Sequence, residues 1–208
     1  LRAACTAAGA LLLFDEVICG FRLAVGGATE FLSVTPDIWC FGKVIGGGLP
    51  VGAYGASARL MSQISPLGPV YQAGTLSGNP LATAAGLAVL ELLTPDAYQH
   101  LDDTAERLAD GLHQAFSDSG IEARVPRVGP LVGVFFGPEL PVDFDGARAS
   151  VARGLYPRFF HGMLDAGIAL APGPYEVMFP SLSHRDEDID RTADAAAQVA
   201  ALMAEGDL

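Results

Sequence analysis

The run Ala10-Leu11-Leu12-Leu13-Phe14-Asp15-Glu16-Val17 decides the fold, read together with Ile38-Trp39-Cys40-Phe41-Gly42-Lys43-Val44-Ile45-Gly46-Gly47-Gly48. Each stretch opens with a short apolar segment and closes on polar groups. Short apolar runs bounded by turn signals read as buried strands of an α/β sheet. Ala10–Phe14 is the first predicted strand, with Asp15 just past its carboxyl end. Ile38–Phe41 is the second, with Lys43 just past its end. In open α/β sheets ligands bind beyond the carboxyl ends of strands, so both side chains are expected to enter one crevice.

An amine and a carboxylate placed that way suit a pyridoxal-phosphate enzyme, in which a lysine holds the cofactor aldehyde and a carboxylate keeps the pyridine nitrogen protonated. The three glycines after Lys43 allow the close backbone approach that a cofactor beside the lysine needs. Taken alone, a lysine before a Gly-rich turn is more often an ordinary surface residue. A phosphate-binding loop of the GxxxxGK[ST] order is absent. Asp15 and Glu16 are neighbours on an extended chain and point to opposite sides, so they do not form an acid/base dyad. One faces the crevice and the other serves structure. Val17 shares the side of Asp15 and is placed to pack on a ring face.

Working outward, Gly52–Ala56 is a third candidate strand, and Thr35-Pro36-Asp37 is the turn into the second. A loop rich in Gly, Pro and Ser runs from Ser65 to Asn79. Asn79 as N-cap and Pro80 at the first helical position open a helix through Leu93. Thr94-Pro95-Asp96 breaks the chain and sets an expected domain boundary between residues 1–94 and 95–208. Beyond it Leu101, Ala105, Leu108, Leu112 and Phe116 recur at helical spacing, which predicts an amphipathic helix over about Asp96–Ser117 that ends at Gly120. Val125–Val128, Leu131–Phe136, Ile168–Ala171 and Tyr175–Phe179 read as strands. A helix over about Ala147–Ala166, interrupted by Pro157 so that its start is expected later than Ala147, stops at Gly167, and Ser183 with Asp186 and Glu187 caps a last helix to about Glu205. This half reads as an α+β unit, with helices over one face of a small antiparallel sheet.

The loop Tyr71-Gln72-Ala73-Gly74-Thr75-Leu76-Ser77-Gly78-Asn79 precedes a helix, and its hydroxyls and free N–H groups suit a phosphate. Ordinary capping accounts for Ser77 and Asn79 but not for Tyr71 or Thr75. Phe21-Arg22 offers an anion site or a surface ion pair. Glu176 stands in an otherwise apolar stretch as a pocket carboxylate or an edge-strand charge.

Half of the 208 residues are hydrophobic, 17% are charged, the net charge is −12 and the mean hydropathy is +0.36. So acidic a chain, without basic clusters, is a poor binder of nucleic acid or anionic membranes. Leu81–Leu93 is too short and too interrupted to span a bilayer. The apolar content points to a subunit with a buried interface, or to a piece that packs on more protein. The opening Leu1-Arg2-Ala3-Ala4-Cys5 reads as the middle of a helix cut open, with Ala3, Ala4, Ala7 and Ala8 on its small face, and so as a fragment. Cys5, Cys19 and Cys40 are widely spaced and odd in number, which fits a reduced cytoplasmic setting. His100, His113, His161 and His184 lack ligand spacing, so no metal site is expected.

Together LLLFDEVICGFR (11–22), TPDIWCFGKVIGGGLPVGAYG (35–55), PLGPVYQAGTLSGNPLATAAGLAVL (66–90), RFFHGMLDAGIALAPGPYE (158–176) and SLSHRDEDIDRTADAA (181–196) resemble class III aminotransferases of the fold-type-I pyridoxal-phosphate superfamily. The resemblance covers nearly all of the chain. The stretches around Tyr71–Pro80 and Phe159–Glu176 resemble most the branch that moves an amino group within one substrate. The implied fold is α/β and aspartate-aminotransferase-like: residues 1–94 form the second part of the cofactor-binding large domain, and 95–208 a small α+β carboxyl-terminal domain. The implied cofactor is pyridoxal 5'-phosphate, and the implied partners are a small-molecule substrate and a second copy in a homodimer with a shared active site, without nucleic acid or membrane.

The resemblance also implies roles. Lys43 is the Schiff-base lysine and proton shuttle, Asp15 pairs with the pyridine nitrogen, and Val17 packs on the ring. Thr75 contacts the cofactor phosphate from the partner subunit, with Tyr71 near that shared site. Glu176 lies near the substrate pocket, where other members carry an arginine for an α-carboxylate. Family chains are longer on the amino-terminal side. That portion bears the same-subunit phosphate loop, the aromatic residue over the ring, the substrate-carboxylate arginine and the gating loop. Cys19 and Cys40 depart from the pattern, and no role attaches to them. Three readings follow: intramolecular amino transfer, transamination of another amine, or a non-catalytic piece.

Overall fold

The first apolar run does form a strand, but later than its composition predicts. Strand β1 covers Leu13–Glu16 and runs parallel to β2, Ile38–Phe41. Asp15 therefore lies inside β1, opposite Cys40, and not beyond its end. The ladder decides this: Leu13 pairs with Ile38, whereas Leu12 is taken by Asp37, whose carboxylate accepts from the Leu12 N–H at 2.7 Å. Strand β3, Ala53–Ala56, lies antiparallel on the other side of β2. Helix α1, Arg2–Ala8, precedes this sheet, and α2, Gly27–Leu32, fills the connection from β1 to β2. A single 3-10 turn, Lys43–Gly46, follows β2, and the short α3, Ala58–Met61, follows β3. Helix α4, Pro80–Glu91, starts as its sequence predicts: the Asn79 Oδ1 accepts from Ala82 N at 2.9 Å and Pro80 occupies the first position.

The structure, a computed structural model, describes residues 1–206 and 208. They form two compact units, Leu1–Tyr98 and Gln99–Leu208. The boundary falls inside the first turn of α5, Pro95–Asp118, whose start is capped by the Thr94 hydroxyl accepting from Ala97 N at 3.3 Å. In the first unit many large apolar side chains stay exposed. Helix α4 buries only Ala82 and Gly86, while Leu81 and Leu87 are 69% and 59% exposed.

The second unit has a closed core. The predicted stripe Leu101, Ala105, Leu108, Leu112 and Phe116 of α5 is buried throughout. Phe116, Phe136 and Phe159 meet edge to face, with ring centroids 5.2–5.9 Å apart. Edge-to-face rings place each positive rim on a negative face, which adds to their burial. The predicted sheet is reduced to two separate pairs: β4 (Ala123–Arg124) with β7 (Phe135–Phe136), and β5 (Arg127–Val128) with β6 (Leu131–Val132). Ile168–Ala171 and Tyr175–Phe179 do not become strands. Among the described residues one bridge, Val132 to Met178, is all the pairing these segments make.

The helix expected over Ala147–Ala166 is two helices, α6 (Phe144–Val151) and α7 (Leu155–Asp165), separated at Gly154 with φ 71°. Pro157 sits in the first turn of α7, where its missing N–H costs nothing. Helix α8, Asp186–Glu205, is capped by Arg185 with Asp188, not by Ser183. Gly162 of α7 admits Val199 of α8, since a Cβ there would lie 2.7 Å from the valine Cγ1.

Candidate active site

Parallel pairing puts the carboxyl ends of β1 and β2 at the same edge of the sheet, and the polar residues of both runs collect there. Strand alternation separates the two acids. Asp15 is exposed, whereas Glu16 is 1% exposed and turned inward. The Asp15 Oδ1 accepts from Val17 N at 3.0 Å, which orients the carboxylate. Among the described residues its second oxygen has no hydrogen-bond partner. Val17 lies against the turn after β2: a side chain at Gly42 would meet the Val17 Cγ1 at 3.3 Å.

Lys43 follows Gly42 with φ 48°, a left-handed backbone that costs a non-glycine residue about 1–2 kcal/mol. It is exposed, and among the described residues no hydrogen bond or ion pair holds its amine. It is also the chain's only lysine, a compositional signal that singles it out before any motif is considered.

The glycines after Lys43 divide in their use. Gly47 seats the lysine turn on α4 and Gly46 is closed within the turn, while Gly48 is exposed, with nothing within 4 Å of a Cβ placed there. A Cβ at Gly47 would stand 2.5 Å from the Ala85 carbonyl oxygen, and one at Gly86 would stand 2.0 Å from the Ile45 oxygen. Gly46 is closed by Val51, at 2.7 Å from the position of its missing Cβ. The left-handed lysine is thus held by backbone packed on backbone.

Helix α4 links this turn to the loop before it. There Tyr71 is 81% exposed and Thr75 is exposed in a turn. The structure brings neither into hydrogen-bond contact with Lys43 or Asp15. Ser77 closes the turn through its backbone N, which donates to Gly74 O at 3.0 Å, and the Asn79 side chain serves the turn and the cap, its Nδ2 donating to Leu76 O at 2.9 Å.

Glu176 belongs to the second unit. It is exposed at the mouth of a cavity of about 450 Å³ walled by Ile168, Leu170, Met178 and Ile189, with His184 on its rim. Tyr156 donates to Ala171 O at 2.7 Å. Burial first, and then the negative charge of Glu176, push the Tyr156 hydroxyl above its usual pKa. The Cys19 thiol is pushed up in the same way, by burial and then by Glu16 and Asp15.

The aminotransferase class-III family model matches residues 1–200. The chain belongs to the class-III aminotransferase family. Its fold is α/β, of pyridoxal-phosphate fold type I. The chain is 50% identical over 202 residues to glutamate-1-semialdehyde 2,1-aminomutase of Desulforapulum autotrophicum, covering 97% of this chain and 47% of that one. It is 54% identical over 190 residues to the enzyme of the same name from Pelotomaculum thermopropionicum, covering 90% and 43%. It thus spans about half the length of the curated relatives it matches.

Among solved structures, an omega-transaminase from Sphaerobacter thermophilus superposes with a TM-score of 0.85 at 29% identity, covering 99% of this chain and 47% of that one. A glutamate-1-semialdehyde-aminomutase from Pseudomonas aeruginosa PAO1 in complex with PMP superposes with a TM-score of 0.81 at 25% identity, covering 95% and 46%. No helix among the described residues is long and apolar enough to cross a membrane.

Proposed function

We propose that this chain supplies the lysine-bearing part of a pyridoxal-phosphate aminomutase that converts glutamate-1-semialdehyde to 5-aminolevulinate, a tetrapyrrole precursor. The observation that carries the reading is the sole lysine, held left-handed in the turn after β2 at the sheet edge that also bears Asp15 and Val17, in a chain half identical to enzymes of that name. The residues fit the cofactor. One sheet edge presents an unpaired amine, a carboxylate with a free oxygen and an apolar flank.

When bound, pyridoxal phosphate supplies a ring that withdraws electrons from the substrate carbon that loses its proton. Asp15 would hold the ring nitrogen, Val17 would cover a ring face, and Thr75 would meet the phosphate from a second copy in a homodimer, near Tyr71. The Lys43 amine takes a proton from one substrate carbon and returns it to another, which an isomerisation requires since nothing is gained or lost overall. By the family resemblance Glu176 would lie near the substrate, where its charge would disfavour an α-carboxylate and so ordinary amino-acid substrates. A cytoplasmic setting accords with the reduced cysteines.

Titration with pyridoxal phosphate, borohydride reduction and peptide mass spectrometry test the reading. Cofactor fixed on Lys43 supports it. Fixation only on the amino-terminal amine overturns it for this chain and leaves a non-catalytic piece, in keeping with the exposed apolar side chains of the first unit. A second reading, transamination of another amine, is favoured by the transaminases among the solved structures at TM-scores of 0.84–0.85. Amino transfer to an added keto acid, without isomerisation, would select it.

A further inference from the structure

Among the described residues Glu16 is the only buried carboxylate, and the chemistry proposed above does not use it. All its side-chain partners donate. The Oε2 accepts from Ala28 N at 2.8 Å, and the Oε1 accepts from Thr29 N and the Thr29 hydroxyl, both at 3.0 Å. The Thr29 hydroxyl has one proton, given to Glu16, and its lone pair accepts from the Trp39 Nε1 at 2.8 Å. A directed chain therefore runs from Trp39 on β2, through Thr29 on α2, to Glu16 on β1. The Glu16 carbonyl is held as well, accepting from Gly20 N at 2.8 Å. Gly27, with φ 60°, leaves the carboxylate just enough room, since a Cβ there would stand 2.3 Å from the Oε2.

Asp15 and Glu16 share a peptide unit and point to opposite faces of β1. Locking one side chain on three donors fixes the strand's twist and so the direction of the other. We propose that Glu16 is a positioning residue that aims Asp15 at the cofactor's ring nitrogen, with Thr29 and Trp39 as its relay to β2, the strand that leads into the lysine turn. This rests on the reading above that Asp15 holds that nitrogen. A glutamine at position 16 is nearly isosteric, yet it replaces an acceptor with a donor that faces Ala28 N or Thr29 N.

The test is a double-mutant cycle on the full chain, read by equilibrium titration with pyridoxal phosphate and by the absorbance maximum of the bound cofactor. In Glu16→Gln the affinity falls about tenfold and the maximum moves in the direction it takes in Asp15→Asn, because both disturb one group. In the Asp15→Asn background the same change costs less than about threefold. Thr29→Val is the second variant. It keeps the backbone donors, cuts the link to Trp39, and changes affinity and maximum in the same sense. Far-ultraviolet circular dichroism reports the folded state of each variant, since the emission of Trp39, the only tryptophan, responds to the loss of its bond to Thr29.

An unchanged affinity and maximum in Glu16→Gln, with only the urea midpoint lowered, overturns the proposal. An equal loss in both backgrounds overturns it too. If Glu16→Gln does not fold, Thr29→Val with and without Asp15→Asn is judged by the same criteria. If the wild-type chain fails to take cofactor on Lys43, the functional reading falls first and this inference with it. That failure is distinct, since no variant then shows a bound band.

Discussion

Replacing Gly86 by alanine sets two effects of opposite sign against each other. Alanine in place of glycine within a helix ordinarily stabilises by about 1 kcal/mol. Here the new Cβ would stand 2.0 Å from the Ile45 carbonyl oxygen, where ordinary contact begins near 3.4 Å, so the lysine turn must retreat by about 1.4 Å. The obstacle is backbone and cannot rotate away. Overpacking of this kind costs about 1–3 kcal/mol, and the turn that yields is the one holding Lys43 at φ 48°. We expect Gly86→Ala to lose about 1 kcal/mol by urea denaturation, the overpacking outweighing the propensity. Displacing a reacting group by about 1 Å costs about a hundredfold in rate, so borohydride-trapped cofactor on Lys43 should form about that much more slowly. A variant more stable than wild type, with unchanged trapping, would refute the argument that α4 seats the lysine.

Lys43→Ala should abolish trapping on that position and keep the far-ultraviolet spectrum, and Lys43→Gly should be about 1 kcal/mol more stable than Lys43→Ala because only glycine adopts φ 48° without strain; equal midpoints would count against the strain. Phe159→Ala, at a fully buried site between two other rings, should cost about 3–5 kcal/mol in a thermal or urea melt, and a loss below 1 kcal/mol would contradict that packing. The Asp37 carboxyl is held below the usual range first by the Leu12 N–H and then by Arg2. Its folded value lies below the unfolded one, so its stabilisation is present above about pH 4 and fades as pH falls through the folded value. The midpoint difference between wild type and Asp37→Asn should therefore vanish in acid, and a difference that persisted there would exclude the linkage.

Periodic segments were legible because their signals are local. The stripe of α5, the Asn79-Pro80 start of α4 and the strand Ile38–Phe41 appear where pattern and capping place them. Helix α2 was not legible, because Gly27–Leu32 has no repeat long enough to show, and Pro157 signalled an interruption of the following helix without placing the break at Gly154. The strands expected over residues 168–179 failed for lack of ladder partners, which pattern does not report.

At the site, the sequence alone singled out Lys43, Asp15 and Val17, and determined that adjacent acids on a strand must part company. That follows from alternation, which is a property of the backbone. Only the tertiary structure decided which acid turns inward, because that depends on Ala28 and Thr29 offering three donors from another element. It also decided how the glycine run divides. Whether a missing Cβ admits a ligand or a helix depends on what packs against it: α4 closes Gly47, Val51 closes Gly46, and Gly48 stays open.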